Sequence, residues 1–104
     1  MRIITHDDGR CLTLRLLGEL DHAAAQEVMS GIEDAVEEYL PRRCVLDLSG
    51  LSFMDSSGIG LIMGRYRAMG MRGDCIRATG VSAYIEKLLH LSGVYKFVEI
   101  CREV

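Results

Sequence analysis

Apolar and polar positions along the chain switch several times between a period of two and a helical period. Ile3-Ile4 is followed by Asp7-Asp8-Gly9, after which Leu12, Leu14 and Leu16 alternate with Thr13 and Arg15. A period of two marks a strand with one buried face, and Asp-Gly between two such runs marks a hairpin turn. Gly18-Glu19-Leu20-Asp21-His22 reads as a short loop, after which the spacing becomes helical. From Ala23 to Leu40, Val28, Ile32, Ala35, Val36, Tyr39 and Leu40 fall on one side and Glu27, Glu33, Asp34, Glu37 and Glu38 on the other. Asp21 stands at the N-cap position of this helix, and Pro41 ends it by forcing the residue before it out of the α region.

Cys44-Val45-Leu46-Asp47-Leu48 reads as a buried strand, followed by a loop around Leu51, Phe53 and Met54. A second helix carries Ile59, Ile62, Met63, Tyr66 and Met69 along one face, with Gly60 and Gly64 as a packing face and Gly70 and Gly73 as its end. Cys75-Ile76-Arg77-Ala78 is the next strand. A third helix carries Val81, Tyr84, Ile85, Leu88 and Leu89 at helical spacing and closes at Ser92-Gly93, and Phe97 to Cys101 forms a last strand. The expected order is β-β-α-β-α-β-α-β. Strands alternating with amphipathic helices imply an α/β fold with parallel pairing and right-handed crossovers, and the opening hairpin makes the central sheet mixed. With 104 residues the chain is expected to form one domain, residues 1–104.

A net charge of −3 and scattered Lys and Arg argue against a nucleic-acid partner, because no basic stripe exists to neutralise phosphates. No secretory signal pattern opens the chain, and no apolar run approaches the ~20 residues that span a bilayer. A cytoplasmic protein with no membrane partner is therefore expected. The 4 cysteines are widely spaced without a C-x-x-C pair, so buried, reduced thiols are expected. His6, His22 and His90 lack ligand spacing to one another or to cysteine, so no metal site is expected. The acidic side of the first helix reads as a solvated face, and Met54, Met63, Met69 and Met71 as core or contact side chains.

The unusual segment is Ser52-Phe53-Met54-Asp55-Ser56-Ser57-Gly58-Ile59-Gly60, where a strand hands over to a helix. Free N–H groups and the positive end of the helix dipole gather there. The segment lacks the Lys of a phosphate-binding loop, and Gly58, Gly60 and Gly64 are spaced one residue too long for a dinucleotide fingerprint. Nor does glycine stand two residues before Ser56 or Ser57, as a nucleophile elbow needs. A plain alternative is that Asp55 or Ser56 only caps the helix.

The chain resembles the STAS family, and within it the anti-anti-sigma factors of endospore-forming bacteria. Leu51 to Gly60 is similar to the family's phosphorylation loop. Gly64-Arg65-Tyr66 and Gly18-Glu19-Leu20-Asp21-His22 favour the sporulation branch over general-stress relatives, and Leu91 to Lys96 resembles the late helix–strand join. Many members of that family carry a final helix, which this sequence, read to Val104, is expected to lack.

The resemblance implies a regulator, not an enzyme, with Ser56 as phosphoacceptor and Ser57 its neighbour. It also implies a partner surface of Asp21, His22, Met54, Asp55, Ser56, Ser57, Gly58 and Ile59. The unmodified protein, a monomer when free, would bind an anti-sigma factor that is also an ATP-dependent serine kinase and displace the sigma factor. Phosphorylation would end the complex and a serine phosphatase would reset it. ATP and Mg²⁺ would belong to the kinase, leaving this chain without a cofactor. A STAS protein of a stress or transporter-associated pathway, and a small nucleotide-binding or hydrolytic module using Asp55 and Ser56, are the other readings.

Overall fold

The computed structural model describes residues 2–39, 42–68 and 76–102. In chain order these form β1 (Arg2–Asp7), β2 (Cys11–Leu20), α1 (His22–Tyr39), β3 (Arg43–Met54), α2 (Ser56–Ala68), β4 (Ile76–Val81), α3 (Ala83–Leu91), a short 3₁₀ turn (Val94–Lys96) and β5 (Glu99–Arg102). The expected order of strands and helices is the observed one.

The opening hairpin is built by its aspartates. Gly9 takes the left-handed backbone at φ 96° and donates to the Asp7 carboxylate at 3.0 Å. The Asp8 carboxylate accepts from the N–H groups of Cys11 at 2.8 Å and Arg10 at 3.1 Å. Those donors, Cys11 foremost, hold the Asp8 carboxyl below its ordinary value.

β1 pairs antiparallel with β2, whereas β2, β3, β4 and β5 are parallel neighbours in the order β1-β2-β3-β4-β5. Each crossover adds a strand on the same side of the last, so right-handed connections place all three helices on one face of the sheet. The core lies between these layers. Leu12, Leu14 and Leu16 of β2, Cys44, Leu46 and Leu48 of β3, and Ile76 and Ala78 of β4 meet Val28, Ile32, Leu61, Ile62, Ile85 and Leu89 of the helices. The alternate strand positions form the other, polar face, where Arg15 pairs with Asp47 at 3.8 Å and Arg77 with Glu99 at 3.0 Å.

Several sequence boundaries move: Gly18, Glu19 and Leu20, expected in a loop, extend β2 alongside β3, and His22 already belongs to α1, leaving Asp21 alone between β2 and α1. The loop expected around Leu51, Phe53 and Met54 is strand: β3 runs on beside the end of β2, with Gly18 opposite Leu51, Glu19 opposite Phe53 and Leu20 opposite Met54. Two register shifts let the 12 residues of β3 span the 10 of β2, and these bulges break the alternation that would have marked the strand. Val81 ends β4 and is not part of the third helix, because α3 begins at Ala83 behind the Ser82 cap. Tyr84, expected on the buried face of that helix, is 55% exposed.

The last strand begins at Glu99, since the 3₁₀ turn precedes it, and Phe97 instead packs its ring 5.6 Å from Tyr66. Gly64 would bring a Cβ within 3.3 Å of Met29, a true helix contact, whereas Gly60 faces open space. Cys44 is buried but Cys11 and Cys101 are half-buried, because both sit toward the polar side or edge of the sheet; none of the three forms a disulfide. The expectations for Leu40, Pro41, Met69, Gly70, Met71, Gly73 and Cys75, and for the side chains of residues 35–39, lie outside the described residues.

Candidate functional site

The parallel strands β2, β3 and β4 end at one rim of the sheet, at Leu20, Met54 and Val81. One capping residue follows each. Asp21 accepts from the Ala24 N–H at 2.9 Å, Asp55 from the Ser57 N–H at 2.8 Å, and Ser82 Oγ from the Ile85 N–H at 3.3 Å. Three helix N-termini, each with unpaired N–H groups and the positive end of a dipole, therefore open on the same rim. In α/β sheets the carboxyl ends of the strands are where ligands and partners meet the fold.

Pairing of Leu20 with Met54 sets the first two of these turns side by side. Ser57 Oγ lies 3.4 Å from His22 Nδ1, and His22 Nε2 lies 3.5 Å from the Gln26 amide nitrogen. Ser52 Oγ donates to the Gly18 carbonyl at 3.3 Å, tying the ends of β2 and β3 together. From the other side the Tyr84 hydroxyl donates to the Met54 carbonyl at 3.3 Å. Ser56, the first residue of α2, stands exposed between these ties, with Asp21 and His22 exposed nearby and Asp55, Ser57 and Ile59 half-buried.

Two residues expected at the surface are not there. Met54 is fully buried and Gly58 is buried above it; a Cβ on Gly58 would meet Met54 Cγ at 2.4 Å and Leu20 Cδ2 at 3.1 Å. Met54 ends a strand on its core-facing phase, so its side chain forms the floor of the turn and cannot meet a partner. Glycine at position 58 is what lets the first turn of α2 lie against that floor.

Beside Ser57 an apolar groove of about 400 Å³ opens between the first turns of α1 and α2, lined by Ala25, Met29, Gly60 and Leu61 among others. No cluster of three or more His, Cys, Asp or Glu side chains that could hold a metal occurs among the described residues. His90 instead stacks on Tyr95 at 4.6 Å. Chemically the rim offers the exposed Ser56 hydroxyl at a helix start suited to an anion. The sequence signalled Ser82 as a cap only weakly, and nothing in it pointed to Tyr84 or to the His22–Ser57 contact, which join separate elements.

The sequence pattern of the STAS domain matches residues 2–104. The chain belongs to the STAS family. This STAS domain is 37% identical over 89 residues to the anti-sigma F factor antagonist of Paenibacillus polymyxa, covering 86% of this chain and 76% of that one. Its fold matches the anti-sigma factor antagonist SpoIIAA in its unphosphorylated form with a TM-score of 0.80 and 27% identity, over 98% of this chain and 90% of that one. The phosphorylated form of the Bacillus cell fate determinant SpoIIAA matches with a TM-score of 0.72 and 27% identity, over 98% and 93% of the two chains. No helix among the described residues of this STAS domain is long and apolar enough to cross a membrane.

Proposed function

We propose that this STAS domain, residues 1–104, is a cytoplasmic anti-sigma factor antagonist of the sporulation branch, switched by phosphorylation of Ser56. The observation that supports it best is Ser56 itself. It is an exposed hydroxyl on the first residue of α2, in a domain similar to a protein solved both with and without phosphate. A kinase needs an accessible hydroxyl that can meet the γ-phosphate in line.

The partner is an anti-sigma factor that is also a serine kinase, bound by the unmodified form through Asp21, His22, Asp55, Ser56, Ser57 and Ile59. The kinase brings ATP and its metal ion, a separate phosphatase restores the serine, and this chain does no chemistry of its own. Phosphate adds roughly −1.5 to −2 charge in the middle of that surface. Its own fold tolerates the group, since a helix start favours an anion by about 0.3–1 kcal/mol. The complex does not. Like charges 4 Å apart repel by about 4 kcal/mol at an effective dielectric of 20, and ~2.7 kcal/mol suffices for a hundredfold loss of affinity.

Incubation with the anti-sigma kinase and ATP, followed by phosphopeptide mapping, should place one phosphate on Ser56. Ser56→Ala should lose nearly all phosphate uptake, leaving only slow turnover, yet keep its affinity in a calorimetric titration, because losing one surface hydroxyl costs little. In the wild-type chain, phosphate on a residue other than Ser56, or undiminished affinity of the phosphoprotein, would sink the reading.

A further inference from the structure

Two adjacent hydroxyls, Ser56 and Ser57, open α2, and a kinase docking on this rim meets both. We infer that His22 is the positioning residue that decides between them, holding the Ser57 hydroxyl in the α1–α2 groove and leaving Ser56 as the acceptor. This rests on the reading of Ser56 as phosphoacceptor.

The two serines differ in environment, not in chemistry. Ser56 is exposed, whereas Ser57 is half-buried, lines the groove and has its Oγ 3.4 Å from His22 Nδ1. The imidazole is itself held from beyond by Gln26, 3.5 Å from Nε2. Either consistent tautomer ties up Ser57. With the proton on Nδ1, the ring donates to Oγ and Nε2 accepts from the Gln26 amide. With the proton on Nε2, the Ser57 hydroxyl donates to Nδ1 and the amide oxygen of Gln26, turned over, accepts from Nε2.

Backbone restraint adds to this, since the Ser57 N–H is spent on the Asp55 cap at 2.8 Å. For Ser57 Oγ to reach a γ-phosphate it must leave the ring and swing out of the groove. Ser56, one position earlier on the helix, needs no such movement.

The net worth of one hydrogen bond predicts a roughly two- to tenfold gain in Ser57 reactivity when the ring is removed. The cleanest background is Ser56→Ala, in which Ser57 is the only serine opening α2. Turnover with the anti-sigma kinase at saturating ATP should rise roughly two- to tenfold in kcat, with the phosphate mapped to Ser57, on adding His22→Ala. Adding His22→Asn instead should raise kcat less than His22→Ala does, because the Asn amide places a polar atom near where Nδ1 stood. A change confined to KM would make His22 a docking contact only and overturn the inference. So would equal kcat in Ser56→Ala and its His22→Ala derivative, while phosphate on Ser56 of the wild-type chain would leave the parent reading intact. Failure of the wild-type chain to take phosphate at all would remove both.

Discussion

Gly58 and Gly60 stand two residues apart on α2 and differ in what a methyl group would meet. Neither has a positive φ, so alanine is unstrained at both, and each Gly→Ala change gains about 1 kcal/mol of helix propensity. At position 60 nothing lies within 4 Å of the added Cβ. Gly60→Ala should therefore stabilise the protein by about 0.5–1 kcal/mol. At position 58 the Cβ would sit 2.4 Å from Met54 Cγ, 2.6 Å from Met54 Sδ and 3.1 Å from Leu20 Cδ2. Met54 is fully enclosed and cannot swing away into solvent. Overpacking of that kind costs about 1–3 kcal/mol, so Gly58→Ala should range from neutral to about 2 kcal/mol destabilising. The propensity gain is common to both variants and cancels in their difference, which leaves a gap of about 1–3 kcal/mol due to packing alone. Urea unfolding followed by circular dichroism reads it directly. In a thermal scan the gap should be at least about 4 °C for a domain of this size. Gly58→Ala matching or exceeding Gly60→Ala would refute the argument that Met54 forms a fixed floor beneath Ser56.

Asp21 serves as helix cap and, in the proposed function, as partner contact. Asp21→Ala should lose about 1 kcal/mol of stability, whereas Asp21→Asn keeps a capping oxygen and should keep the stability while weakening kinase binding. Unchanged affinity of Asp21→Asn in calorimetry would leave only the cap. The Asp8 carboxyl is lowered in the folded state, so its contribution is complete above the ordinary carboxylate value and is lost as pH falls through the lower folded value. Asp8→Asn should flatten that part of an acid denaturation curve, and an unchanged acid limb would show that the hairpin aspartate is not linked to folding.

Periodicity carried the element order well because β2, α1 and α2 show their buried faces in sequence: Leu12, Leu14 and Leu16 alternate, and Val28 and Ile32 repeat at helical spacing. It failed where two periods overlap or one is interrupted. Val81 fits the apolar phase of α3 as well as that of β4, and the cap at Ser82 separates them only in three dimensions. The two extra residues in β3 hid its second half and with it the burial of Met54. In the site, Asp21 and Asp55 were legible because capping is local chemistry, satisfied within three residues. The meeting of His22 with Ser57 depends on the register of Leu20 against Met54, and the hydrogen bond from Tyr84 on α3 docking beside β3; neither is written in local pattern.

Because the sheet order repeats the chain order, every strand finds its partner in the strand made just before it. Pairing between near neighbours keeps loop closure short, and a chain emerging N-terminus first can build such a sheet strand by strand. β2, α1, β3 and α2 together hold the Asp21, His22, Ser56 and Ser57 rim and lie within residues 11–68, ahead of β4. The proposed partner surface thus draws on the first two thirds of the chain, and Tyr84 of α3 adds to it a hydrogen bond to the Met54 carbonyl from the last third.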